Sequence, residues 1–281
     1  MDIREIKQED LGKQINDSRS ATIYDFGEGK VLKLFHKGFP DIISLRECKN
    51  TEEAYKKGAT TMRFFETVKL DDRIGLVLEK INGVTQIEYF LKHFPYLFKA
   101  GVDLAHLQVK VHNIETDVMD DYTEICKGYL DLEQFSFLTE AQKANLIKYL
   151  DKLPKDNKII HMDFHVNNVL MTENKEFVVI DWTTACKGSP LAELAMMHFL
   201  FTQAELFPGL SKFMVFVFNI LKKILYNKFY KTYKKETGIT KADFMPYRIS
   251  ALIFRFGTWA IESEAPKIQN ELKEFADKYV G

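Results

Sequence analysis

The stretch His161-Met162-Asp163-Phe164-His165-Val166-Asn167-Asn168, followed by Val169 to Met171, Phe177 to Ile180 and then Asp181-Trp182, decides how the rest of the chain is read. Two short β-rich runs around the turn Glu173-Asn174-Lys175 follow a polar loop, and a third run, Lys158 to Ile160, leads into it. The loop and one strand end therefore carry three oxygen-bearing side chains, with Asp163 five residues before Asn168 and eighteen before Asp181. Amide and carboxylate oxygens are hard donors suited to magnesium. A carboxylate set apart from them can orient and deprotonate a hydroxyl. Phosphoryl transfer from a nucleoside triphosphate needs such metal ligands and positioning, and little covalent chemistry from the protein.

Upstream of this block the chain reads as strands and turns. Thr22 to Phe26, Gly27-Glu28-Gly29-Lys30 and Val31 to Phe35 form a hairpin signal, two β-rich runs about a glycine turn. A charged segment from Asp41 to Lys57, ended by Gly58, suits a helix with a glycine stop. Met62 to Val68 and Ile74 to Leu78 suggest two more strands around the polar turn Leu70-Asp71-Asp72-Arg73, and Gly83 breaks the pattern. From Phe94 onward helical spacing dominates, with Phe94, Leu97, Phe98, Gly101 and Ala105 on one face. Thr139 to Gln142 and Thr240 to Asp243 have the capping-box form that opens a helix.

The composition narrows the function classes. The chain has 281 residues, 46% of them apolar and 28% charged, which is ordinary for a folded domain or two. With 39 Lys and Arg against 40 Asp and Glu, no global charge draws it to nucleic acid or to an anionic membrane. The three cysteines, Cys48, Cys126 and Cys186, form no CxxC pair, which fits a reduced, cytoplasmic setting. The charged start MDIREIKQED lacks the apolar core of a secretion signal. The longest apolar run, Phe213 to Leu221, is too short to cross a bilayer and reads as a buried helix, with Phe213, Phe216 and Phe218 expected in its core.

The frame HxDxxxxN followed by a strand-terminal Asp resembles that of the aminoglycoside phosphotransferase and choline kinase superfamily, which is related to the protein kinases. Val31-Leu32-Lys33-Leu34-Phe35 is similar to the family's lysine-bearing strand, Leu45-Arg46-Glu47-Cys48-Lys49-Asn50 to the helix that supplies its glutamate partner, and Gly75 to Gly83 to the hinge strand. The segments Leu104 to Ile114 and Lys187 to Ala195 add to a likeness covering roughly residues 15 to 200. It implies an α+β, protein-kinase-like two-lobed fold. Residues 1–82 would form a small N-terminal lobe of antiparallel β-sheet with one helix that binds nucleotide, and residues 83–281 a larger, mainly helical C-terminal lobe for catalysis and acceptor binding.

The same resemblance implies ATP and Mg2+ as cofactors, Asp163 as the catalytic base, and Asn168 and Asp181 as metal ligands. Lys33 would hold the α- and β-phosphates with Glu47 as its partner, although Glu52 and Glu53 share that helix and keep the choice between Glu47 and Glu53 open. The backbone of Glu79, Lys80 and Ile81 would meet the adenine. The segment Ser18-Arg19-Ser20-Ala21-Thr22 lacks phosphate-loop glycines, so a hydroxyl or amide of Ser18 or Ser20 takes that role. The chain departs from the family pattern in lacking glycine after His161, in having Val166-Asn167 for Pro-Gly, and in having Glu193 for Asp.

The expected reaction moves the γ-phosphoryl group of ATP to a hydroxyl of a small molecule that is aminoglycoside-, choline- or sugar-like, with neither nucleic acid nor membrane as partner. Residues 195 to 281 would choose the acceptor. Within them Arg255 to Glu264 mixes aromatics with two carboxylates, which suits a cationic group and equally a half-core, half-solvated helix. Two other classes compete. His161-x-Asp163-x-His165 could ligate zinc or iron in a hydrolase, but no second ligand cluster accompanies it and Lys33 would have no role. A nucleotide-binding pseudokinase would keep the fold, yet every polar role is filled. His161 is expected to brace the loop and His165 to support Asp163.

Overall fold

The computed structural model describes residues 3–18, 20–204 and 211–279. The chain divides into two compact units, Met1–Tyr89 with Val166–Ala185, and Phe90–His165 with Cys186–Gly281.

The first unit is built on a six-stranded sheet of β1 (Ile3–Glu5), β2 (Gln14–Asp17), β3 (Ala21–Asp25), β4 (Lys30–Phe35), β5 (Phe64–Leu70) and β6 (Arg73–Glu79), in the order β1-β5-β6-β4-β3-β2. The expected hairpin is present as β3 and β4, with Ala21 opposite Phe35 and Ile23 opposite Lys33. Its turn holds three successive residues at positive φ, Gly27, Glu28 and Gly29, a path open to L-residues only at a cost and to glycine freely. The expected strands at 62–68 and 74–78 appear as β5 and β6, and the sheet is antiparallel except where β1 runs parallel to β5.

Alternation along β4 sorts its side chains between two apolar layers. Leu32 and Leu34 join Ile6, Val68, Leu70 and Val77 on one face. Phe35 joins Ala21, Ile74, Leu76 and Leu78 on the other, where Cys48 of helix α1 (Asp41–Lys56) packs against them. Lys33, two residues from Phe35, is buried on this α1 side. A second sheet joins β7 (Gly83–Thr85) to β9 (Val169–Thr172) and β10 (Phe177–Val179), in the order β10-β9-β7. A Cβ at Gly83 would lie 2.6 Å from the Met171 carbonyl oxygen, so this glycine admits a close strand approach where its sequence context suggested only a break. Val178, with Leu170 and Ile180 beside it, completes the α1-side cluster.

Helix α2 (Gln86–Lys92) leads to the second unit, which contains α3 (Leu97–His112), α4 (Tyr122–Tyr129), α5 (Glu140–Lys152), α6 (Pro190–Thr202), α7 (Lys212–Thr237), α8 (Lys241–Phe244), α9 (Arg248–Trp259) and α10 (Ala265–Lys278). Strands β8 (Lys158–Ile160) and β11 (Cys186–Gly188) form a small antiparallel pair. Both expected capping boxes are formed, Thr139 with Gln142 at α5 and Thr240 with Asp243 at α8. Helix α3 lies along α7, α6 along α9, and α10 against α5 and α9.

One expectation fails here. Phe213 and Phe216 are 72% and 63% exposed, and Phe218 is only partly buried. Residues 213–221 are apolar nearly all round the helix, which gives no single face to bury. The buried stripe of α7 begins later, at Leu225, Phe229 and Tyr233, spaced four residues apart. Among the described residues no helix is long and apolar enough to cross a membrane.

Candidate active site

In the first unit Lys33, Glu47 and Asp181 meet. The Lys33 ammonium donates to Glu47 Oε1 at 2.5 Å and to Asp181 Oδ1 at 3.1 Å. The choice left open between Glu47 and Glu53 falls on Glu47 through its contact with Lys33, while Glu52 is paired with Lys56 at 2.6 Å. Lys33 and Glu47 are buried, whereas 43% of the Asp181 side chain is exposed. Burial alone would favour loss of the Lys33 proton, but the Asp181 and Glu47 carboxylates outweigh it and hold the ammonium well above its ordinary range. Glu47 is raised, chiefly by burial and further by the like charge of Asp181, against the pull of Lys33 and Thr183.

The segment carrying Asp181 is fastened to α1 and to the loop between α1 and β5 through polar groups that the sequence reading missed. The Asn50 side-chain amide donates to the carbonyls of Trp182 and Ala185 at 3.2 and 2.7 Å, and the Thr60 hydroxyl donates to the Val179 carbonyl at 2.7 Å. Asp181 itself is left-handed, with φ 65° and ψ 67°, a conformation aspartate tolerates better than most residues. Asn168 lies beside it: the Ile180 amide donates to the Asn168 carbonyl at 2.9 Å, extending the β9–β10 ladder to the loop end.

This unit therefore presents one partly open carboxylate and one amide side chain at neighbouring strand ends. That donor set fits magnesium, which accepts one or two protein oxygens and completes its shell with water and phosphate. Among the described residues no three His, Cys, Asp or Glu side chains are grouped to hold a metal alone.

Around the hinge, the amides of Glu79 and Lys80 donate to the carbonyls of Arg63 and Gly29 at 2.9 and 2.8 Å. The Lys80 side chain pairs with Asp25 at 2.5 Å, and Glu79 accepts the Arg63 amide at 3.1 Å. The Ser18 hydroxyl donates to the Ala21 carbonyl at 2.7 Å and closes the turn before β3, while the Ser20 carbonyl accepts the His36 amide at 2.9 Å. Arg19 lies outside the described residues.

Asp163 belongs to the second unit. It is partly buried and paired with His165, whose Nε2 lies 3.3 Å from Asp163 Oδ1, so His165 supports it as expected. His161 is fully buried, stands edge-on to Phe164, and its Nδ1 accepts the Asp163 amide at 3.4 Å. A ring so placed braces the loop.

Between them Met162 is buried at φ 63°, an uncommon conformation for a long side chain. Its amide donates to Glu193 Oε1 at 2.6 Å, Glu193 Oε2 meets His112 Nε2 at 2.5 Å, and His112 Nδ1 meets the Tyr233 hydroxyl at 2.7 Å. Glu193 stood out in sequence only as a departure from a family pattern. Its service to the loop was legible only through the fold.

The stretch Arg255–Glu264 proves half core and half solvated. Arg255, Phe256 and Glu264 are buried, Glu262 and Ser263 are exposed, and Arg255 grips Glu264 through two bonds of 2.8 and 3.0 Å while lying over Trp259. The Glu264 carboxylate is thereby engaged inside the unit and not offered to a cationic acceptor.

A strand lysine paired with a helix glutamate in a β-sheet unit, joined to a helical unit carrying a loop aspartate, is the α+β framework of kinase-like phosphotransferases. The chain belongs to the phosphotransferase enzyme family, whose sequence profile matches residues 12–211. Solved structures agree in fold. A thermostable mutant of aminoglycoside phosphotransferase APH(4)-Ia, in ternary complex with AMP-PNP and hygromycin B, is similar with a TM-score of 0.60 at 13% identity, over 97% of this chain and 95% of that one. APH(2")-IIa in its streptomycin–ATP ternary complex gives 0.56 at 18% identity, over 96% and 93%. LicA in complex with AMP gives 0.57 at 16%, over 96% and 92%. No curated protein matches the sequence significantly.

Proposed function

We propose that this phosphotransferase moves the γ-phosphoryl group of ATP to a hydroxyl of a small molecule that is aminoglycoside-, choline- or sugar-like. The observation that carries the reading is the buried Lys33 ammonium held between Glu47 and Asp181. A cation fixed and kept charged in this way suits the α- and β-phosphates, and Glu47 keeps its direction. Asn168 and Asp181 would hold Mg2+, which when bound would supply positive charge to offset that of the phosphate groups. Asp163, oriented by His165, accepts the proton of the attacking hydroxyl. The backbone of Glu79, Lys80 and Ile81 would meet the adenine, with the amide donor supplied by Ile81 since the amides of Glu79 and Lys80 are engaged, and Ser20 would reach a phosphate through its hydroxyl or amide. The solved relatives are complexes with AMP-PNP and hygromycin B, with ATP and streptomycin, and with AMP. The three buried free thiols suit a cytoplasmic enzyme.

The test is a coupled ADP-release screen across aminoglycosides, amino alcohols and sugars, with Asp163→Asn as control. The substitution is expected to lower turnover by about two to four orders of magnitude while leaving ATP affinity nearly intact. Turnover near that of the parent removes Asp163 as base. Binding of MgATP without ADP release across the whole panel turns the reading to a nucleotide-binding module.

A further inference from the structure

Thr183 joins the site without having drawn notice in the sequence. Its hydroxyl lies 2.5 Å from Glu47 Oε2 and 2.7 Å from Asp181 Oδ1. Lys33 meets the other Glu47 oxygen at 2.5 Å and the same Asp181 oxygen at 3.1 Å. Ammonium, carboxylate, hydroxyl and carboxylate thus close a four-membered ring of contacts, in which both Lys33 and Thr183 face Oδ1 of Asp181.

We propose that Thr183 is a positioning residue for the metal site. By engaging Oδ1 together with Lys33, it would fix the rotation of the Asp181 carboxylate and so set how that carboxylate meets magnesium. This rests on the functional reading above and adds to it the residue that aims the ligand. The backbone provides the means. The left-handed conformation at Asp181 starts a tight turn, Trp182–Thr184, that returns the hydroxyl of residue 183 to the carboxylate two residues earlier. Asn50 clamps the carbonyls of Trp182 in that turn and of Ala185 just after it to α1, the helix that also carries Glu47. Helix, turn and metal ligand are therefore tied as one body. A hydroxyl has a single proton, so Thr183 donates to one carboxylate while its oxygen lies against the other.

Calorimetric titration with ADP, in magnesium and in EDTA, separates this role from packing. Thr183→Val keeps the shape and removes the hydroxyl. It is expected to weaken ADP binding in magnesium by about 10- to 100-fold, the usual effect of losing a group that orients a metal ligand, and to leave binding in EDTA unchanged. Thr183→Ser restores the hydroxyl and is expected to bind as the parent does. Titration with Mn2+, followed by its electron paramagnetic resonance, should show the same ranking without turnover. Equal losses with and without metal, unchanged affinity in magnesium, or a serine variant as impaired as valine each overturn the proposal. If Thr183→Val does not fold, Thr183→Ala and Thr183→Ser carry the same comparison. A parent chain that binds ADP no better with magnesium than without it overturns the functional reading itself, whereas magnesium-dependent binding untouched by Thr183→Val overturns the role of Thr183 alone.

Discussion

Lys33 shows how much a single buried charge depends on its neighbours. Glu47 lies deep beside it, and without the ammonium its carboxylate faces burial and the like charge of Asp181. Lys33→Met is therefore expected to destabilise the fold by about 3–5 kcal/mol at neutral pH, the cost of orphaning one member of a buried pair. The loss should depend on pH. In the variant Glu47 stays protonated to higher pH than in the unfolded chain, where its ordinary value is about 4.5. A carboxyl group raised in this way favours the fold below its unfolded pKa and withdraws that support as pH rises through its folded one. Urea unfolding should thus show the deficit smallest in acid and growing toward neutrality; a deficit independent of pH would deny that Glu47 is the orphaned group. Lys33, Glu47 and Asp181 were legible in sequence because their order and spacing are distinctive. Thr183, Asn50 and Thr60 were not, since hydroxyls and amides are common and these reach their partners through a left-handed residue or through backbone carbonyls.

Elements differ in how plainly sequence announces them. The β3–β4 hairpin and the α5 and α8 caps were legible because turn chemistry and capping are local. Burial on α7 was not, because an all-round apolar stretch leaves the contact face to tertiary packing. The loop before Asp163 shows the same limit, since it is held by groups from α3, α6 and α7. Glu193→Ala should strip the Met162 amide and His112 of their shared acceptor, costing about 1–3 kcal/mol. It should also lower turnover about 10- to 100-fold through a displaced Asp163, with the Michaelis constant for ATP little changed; kinetics equal to the parent would reduce Glu193 to a packing residue. On α6, His198 is driven down to about 4 by burial, then by Lys241 and Arg248, with Tyr226 and Phe244 rings beside it. A depressed histidine stabilises the fold above its unfolded pKa and loses that contribution as pH falls, here from about 6.5 to about 4. His198→Gln should flatten the fall of urea-unfolding stability across that interval, and an unchanged slope would place the titrating group elsewhere.

The whole molecule is discontinuous in sequence. The first unit draws β9, β10 and the Asp181 turn from residues 166–185, and their Val178, Leu170 and Ile180 complete the layer under α1. A fragment of residues 1–89 should therefore lack a cooperative thermal transition and bind hydrophobic dye, while a sharp two-state melt would show that the segment is dispensable. The resemblance in the sequence conveyed the fold class, because its motifs span both units. It conveyed less about which stretch of chain completes which core, since that depends on strand partners far apart in sequence.

Ribosomal synthesis gives this arrangement a temporal side. After residue 89 has emerged, roughly a hundred more must follow before the last strands of the first unit reach the nascent core. At about 5–20 residues per second that is a wait of about 5–20 s, during which an unfinished sheet keeps an open flank. Emerging polypeptides of this design should engage holdase chaperones early and release them only once the Asp181 turn has cleared the exit tunnel.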